Sequence, residues 1–275
     1  MVKDASVLFL LASYSSPSLE TDSCEFSTLC TDIVKATEFR SETINYINKS
    51  LGTSYDPKPV EAPSNAIIPM FGEIGERFRQ SSSPAQVQTL SKELKFFINM
   101  TDVEQRSELS GKLPTVEEYQ KRRMGSSGVG VCVAFTQYCY GMDIPASVMH
   151  EEEMQVLWDE TNAIISTTND ILSIKKEIAQ QQVDSLIPLL TERHGSVQTA
   201  VDIAFELTIR YSYINSRSLS KDANMLALEA CIGGIASLSK IFYGHYLANS
   251  LDKSLISGRY KLKVNSTQNG LKIEL

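Results

Sequence analysis

The stretch TTNDILSIKKE, residues 167 to 177, sets Asn169, Ser173 and Glu177 four residues apart. On a helix that spacing stacks the three side chains on one face, about a turn between each. They offer an amide oxygen, a hydroxyl and a carboxylate. These are hard oxygen donors of the kind Mg²⁺ takes, with water or phosphate completing its shell. Spacing alone favours a plain polar face turned to water, so the surrounding chain has to decide.

Two further stretches carry groups suited to a phosphate. EEYQKRRMGSSGVGV (117–131) places Arg122 and Arg123 on a helix that then runs into small residues and glycines. SLISGRYKL (254–262) puts Arg259 and Tyr260 after a long, aromatic-rich helical pattern. An arginine's planar fork can donate to two phosphate oxygens at once. The bland alternatives are a solvated basic run after Lys121, and a helix-end arginine beside a packing tyrosine.

The elements that must position these groups are helical throughout. Apolar residues recur at helical spacing, and alternating strand patterns are scarce. Helices are predicted near 3–14, 22–50, 65–80, 84–98, 101–110, 115–140, 146–180, 183–194, 196–217 and 221–255. Breaks fall at turn-forming stretches such as SSSP (81–84), SGKLP (110–114), GMDIP (141–145) and RHGS (193–196). Thr115 with Glu118 has capping-box spacing, and Ser83 before Pro84 is an N-cap followed by a proline at the first helical position. The linker-like stretch 52–64 is short enough for a loop inside a domain. The polar tail after Tyr260 is expected to fray. The chain therefore reads as a single all-α domain over 1–275.

Composition narrows the classes. A hydrophobic share of 42% suffices for a sizeable core. With 26 Lys and Arg against 33 Asp and Glu the net charge is −7, which leaves no basic stripe to track nucleic acid. An anionic ligand must therefore meet local positive charge or metal ions. Cys24, Cys30, Cys132, Cys139 and Cys231 are odd in number and lack metal-ligand spacing. They are expected to be reduced thiols of a cytoplasmic protein. The apolar run from Val7 to Ala12 is short for a signal peptide, and no run reaches membrane-spanning length. Monomer and homodimer both remain open.

Taken in order, RRMGSSGVG, NDILSIKKE and GRY resemble a class I terpene synthase of the fungal sesquiterpene cyclase kind, over roughly residues 65–262. NDILSIKKE matches that family's second metal motif, (N/D)D-x-x-S-x-x-x-E, at every defined position. The resemblance implies a class I α-helical bundle around a central cavity. It also implies a prenyl diphosphate substrate, C15 in the fungal branch, that loses diphosphate to leave an allylic cation. Asn169, Ser173 and Glu177 would hold one Mg²⁺. Arg123, or its neighbour Arg122, would sense the diphosphate, with Lys176, Arg259 and Tyr260 as further donors. Ser127 or Gly128 would be the effector position at the helix break. Phe96, Phe135, Tyr138 and Trp158 are candidates to line the cavity, since an aromatic face can stabilise a desolvated cation by about 2 kcal/mol or more.

One expected element is missing. The family carries an aspartate-rich DDxx(D/E) for two more Mg²⁺ ions, and no such run occurs in the 275 residues. The best match for its lead-in is VLFLLASYSSPSLE (7–20), where Ala12, Ser13 and Ser16 take the aspartate positions. Neutral hydroxyls do not replace carboxylates at Mg²⁺. The helices expected before that motif are absent too, so the fold is expected to be shortened at its N-terminus. Three readings stay open: a cyclase with an unusual metal site, a relative repurposed for another isoprenoid reaction such as coupling to a second molecule, and a non-catalytic isoprenoid-binding relative.

Overall fold

The computed structural model describes residues 29, 31–54, 68–179, 182–218, 263–267 and 270–274. Among them α1 spans Ile33–Ser50, α2 Met70–Ser81, α3 Pro84–Ser110, α4 Val116–Ser126 and α5 Val129–Tyr140. After the single turn α6 (Ala146–Met149) come α7 (Glu152–Ala179), α8 (Leu186–His194) and α9 (Val197–Ser218). The all-α expectation holds for this part of the chain. The predicted helices at 3–14 and 221–255 lie outside the described residues.

Helix starts follow local chemistry. Asp32 caps α1 by accepting from the Val34 and Lys35 amides, both at 3.1 Å. Ser83 and Gln86 exchange backbone–side-chain hydrogen bonds ahead of α3, with Pro84 in its first turn. Thr115 and Glu118 do the same for α4, at 2.8 and 3.1 Å. Those bonds hold the exposed Glu118 carboxyl below its usual range. Each reciprocal pair satisfies two amides that a helix start leaves orphaned.

Several boundaries differ from expectation: the predicted helix 115–140 is interrupted after Ser126, and the predicted helix 146–180 after Met149. The predicted helices 84–98 and 101–110 are one helix, because Thr101 turns its hydroxyl back to the Ile98 carbonyl at 2.8 Å and the chain continues. Residues 263–274, expected to fray, carry an antiparallel hairpin instead: β1 (Lys263–Thr267) pairs with β2 (Gly270–Glu274), Val264 opposite Ile273. Its β-branched Val264, Thr267 and Ile273 suit such a pairing.

The chain gathers into two compact units. In the first, formed by residues up to Arg106 with Gly125–Met149, α1 packs on α2. Phe71, Phe78, Leu90 and Ile98 are almost wholly buried there. Gly125 has no room for a side chain, since a Cβ would run into Met100. In the second unit, Ser107–Met124 with the chain from His150 onward, α7 packs on α8 and α9. Tyr119, Ile174, Leu186, Ile187, Leu190 and Ala200 form its apolar cluster. Burying such side chains contributes roughly 1.5–3 kcal/mol each, and this cluster fixes α4 and α8 against the polar side of α7.

Candidate diphosphate and metal site

α7 is 28 residues long, about 42 Å at 1.5 Å per residue. Along it Asn162, Ser166, Asp170, Ser173 and Glu177 make a polar stripe that is buried, not solvated. A plain surface face is therefore the wrong description of Ser173 and Glu177, each 7% exposed. Asn169 lies at the exposed margin of the same stripe. Buried polar groups need partners, and most find them. Asn162 donates to the Met124 carbonyl, Ser166 to the Asn162 carbonyl, and Ser173 to Glu177 Oε1.

Glu160 Oε2, further back on α7, finds no partner, and nor does one oxygen of Glu177. Its Oε2 is buried without a hydrogen-bond partner. Burial and the nearby Asp170 carboxylate push its pKa upward, while Ser173, Ser185 and Arg123 pull the other way. An unsatisfied carboxylate oxygen beside a hydroxyl is what a hard cation would complete. The donor set of Asn169, Ser173 and Glu177 thus fits Mg²⁺. It includes a single acid, and no group of three or more His, Cys, Asp or Glu gathers among the described residues.

Two adjacent arginines on α4 take different partners. Arg123 Nη2 donates to Asn169 Oδ1 at 2.9 Å and to Asp170 Oδ1 at 3.1 Å. It thus reaches the motif helix at the first residue of the motif. Arg122 is buried, and its fork meets both Asp184 oxygens at 2.8 Å. Its guanidinium carbon sits 5.1 Å above the Tyr119 ring. That geometry commits Arg122, carried in the sequence as a possible diphosphate donor, to anchoring the segment before α8. The reason is steric: consecutive helical residues point about 100° apart, so only one of the two can face Asn169.

The remaining sequence candidates fall as follows. Lys176 lies on α7 between Ser173 and Glu177. The predicted break after the arginines is real: α4 ends at Ser126, and Gly128 opens α5 at φ +71°. Ser127 accepts from the Val129 amide at 3.3 Å. Phe135 and Tyr138 pack on Phe78 in the first unit, ring centres 5.1 and 5.2 Å from it. Phe96 is 38% exposed, and Trp158, on α7, is half-buried. Ala12, Ser13, Ser16, Arg259 and Tyr260 lie outside the described residues.

Of four further residues at the site, three carried no sequence signal of their own, and Asp170 is a defined position of the motif to which the sequence reading gave no role. Tyr119 donates to Asp170 Oδ2 at 2.7 Å. Asp170 is 1% exposed, and Asp184 receives Arg122. Ser185 stands at the N-cap of α8 but makes no cap bond, and its buried hydroxyl lies near the Glu177 carboxyl. A further hint was proximity: Asp170 follows Asn169 inside the motif, and Tyr119 stands one turn before Arg123.

A helical fold whose longest helix turns Asn, Ser and Glu at four-residue spacing toward a neighbouring arginine defines a class I terpene synthase-like protein. The comparisons agree. Residues 22–210 match the family model for terpene synthase family 2, C-terminal metal binding, and the chain belongs to that family. Its relatives include the sesquiterpene cyclase hepA of Aspergillus oryzae, 33% identical over 181 residues, 64% of this chain and 49% of that one. Another is the terpene cyclase braA of Annulohypoxylon truncatum, 30% identical over 62% of this chain and 46% of that one. The chain thus spans about half the length of the curated relatives it matches. Among solved structures, an α-eudesmol synthase aligns with a TM-score of 0.68 at 19% identity, covering 89% of this chain and 77% of that one. A linalool/nerolidol synthase from Streptomyces clavuligerus, solved with 2-fluorogeranyl diphosphate, aligns at 0.66 and 16% identity, covering 82% and 71%. Identities this low speak for the fold alone. Among the described residues no helix is long and apolar enough to cross a membrane.

Proposed function

We propose that this chain is a class I terpene cyclase-type enzyme that takes a prenyl diphosphate, farnesyl diphosphate by the fungal resemblance, and removes its diphosphate to start a carbocation cyclisation. The observation that carries the reading is Arg123 bound to both Asn169 and Asp170 of the metal motif. An arginine placed at the edge of a buried oxygen cluster is a ready donor for an anion arriving there. Asn169, Ser173 and Glu177 would hold Mg²⁺, which when bound neutralises charge growing on the departing diphosphate.

The chain's own residues supply the rest. Arg123 holds and orients the diphosphate, with Lys176, Arg259 and Tyr260 assigned as further donors by resemblance. Glu177 contributes the one formal negative charge among the three ligands. The left-handed turn at Gly128, five residues after Arg123, interrupts the helix, so Ser127 or Gly128 is our choice for the effector by the resemblance. Trp158, on the metal-motif helix, is the aromatic face we assign to the cation. Phe135 and Tyr138, already packed on Phe78, and the more exposed Phe96 are weaker choices.

A second reading is favoured by one specific feature, the lack of any DDxx(D/E) run in these residues. It keeps diphosphate and Mg²⁺ binding but replaces cyclisation by another isoprenoid reaction or by binding alone. Incubation of the purified chain with C10, C15 and C20 prenyl diphosphates and Mg²⁺, followed by product analysis, separates the two. A cyclic or alcohol product from the C15 substrate supports cyclisation. No product from any of the three transfers the case to the second reading.

A further inference from the structure

We propose that Tyr119 is a positioning residue for the diphosphate end of this site, setting the direction of Arg123 through Asp170. The inference rests on the functional reading above and adds a residue to it. Tyr119 and Arg123 are four apart on α4, so both face α7. The tyrosine hydroxyl donates to Asp170 Oδ2 at 2.7 Å. The other oxygen of that carboxylate accepts Arg123 Nη2 at 3.1 Å, and the same nitrogen donates to Asn169 Oδ1 at 2.9 Å. Phenol, carboxylate, guanidinium and metal-motif amide thus form one connected chain of atoms.

The ring has a separate duty. Tyr119 is 3% exposed and belongs to the apolar cluster with Leu186 and Leu190. Its face lies under Arg122, whose fork is held by Asp184. Packing and cation–π contact would be served equally by phenylalanine. The hydroxyl therefore needs its own explanation, because burying one costs free energy unless it is bonded. Its bond goes to a carboxylate that also grips Arg123. Tyr119 thus sorts the two arginines, one by its face and the other by its oxygen.

The test is a double-mutant cycle read by calorimetric titration of inorganic pyrophosphate in Mg²⁺. The four proteins are wild type, Tyr119→Phe, Arg123→Ala and the double variant. Tyr119→Phe is expected to weaken pyrophosphate binding about 10-fold, the usual scale for a supporting partner. In the Arg123→Ala background the same change should weaken it no further. An equal loss in both backgrounds would make Tyr119 merely structural, and no loss in wild type would likewise overturn the proposal. If Tyr119→Phe does not fold, Asp170→Asn cuts the same connection and takes its place in the cycle with the same expectation. A wild-type chain that binds no pyrophosphate brings down the functional reading, and this assignment with it. Binding with the wrong pattern of coupling brings down this assignment alone.

Discussion

Arg122 and Arg123 are neighbours in sequence, yet losing each should be felt in a different measurement. Arg122→Ala strands Asp184 as a buried charge without its fork, and breaking such a pair costs about 3–5 kcal/mol. Urea denaturation should show that loss. Arg123→Ala leaves Asp170 its tyrosine donor, so the same denaturation should move much less while pyrophosphate affinity falls. Reversal of the two patterns would exchange their roles. Glu177 gives a second residue-scale test. Its folded pKa is raised by burial. A carboxyl with a raised folded pKa binds protons more tightly when folded, so its contribution to stability is full in acid. That contribution is lost as pH rises from the ordinary carboxylate range through the raised value. Glu177→Gln removes this liability. Without metal the variant should melt higher than wild type at neutral pH, the gap closing in mild acid, while Mg²⁺ should raise the melting temperature of wild type only. Melting curves across pH, with and without Mg²⁺, check both signs. The spacing of Asn169, Ser173 and Glu177 was legible without coordinates because four-residue periodicity is local. The burial of Ser173 and Glu177 was not, since it depends on how α8 and α9 cover α7. Tyr119 and Asp170 stand 51 residues apart, a pairing that only the folded chain creates.

At the scale of elements, the turn between α4 and α5 sets where the arginine-bearing helix stops. Gly128 holds φ +71°, a conformation that costs a residue with a Cβ about 1–2 kcal/mol. Gly128→Ala should therefore destabilise the fold by roughly that amount in denaturant titration, with helix content by circular dichroism nearly unchanged. A neutral result would mean that the turn has a second conformation compatible with alanine. This break was readable from the small residues of GSSGVG, as were the caps at Ser83 and Thr115, because each is chemistry within four residues. The false break near Asn99 had no such basis: Thr101 satisfies its hydroxyl within the helix, and nothing in the local sequence distinguishes that from a turn. The hairpin at 263–274 escaped notice because each strand is only five residues long, too short for alternation to stand out.

For the whole molecule, family membership and helical class were legible because one motif, NDILSIKKE, is specific and the rest of the pattern is consistently helical. The match covers residues 22–210, and the curated relatives are about twice as long as the aligned part. What this chain does by itself therefore turns on whether its half of the metal machinery works. The net charge of −7 sharpens that question, since a polyanion must be drawn in against the protein's overall field. Titrating pyrophosphate into the wild-type chain, with and without Mg²⁺, and then into Glu177→Gln, addresses this directly. The buried oxygens of α7 and the guanidinium of Arg123 lead us to expect a heat of binding that needs Mg²⁺ and disappears in the variant. No heat with wild type, or an equal heat in Glu177→Gln, would contradict a diphosphate and metal site on this helix.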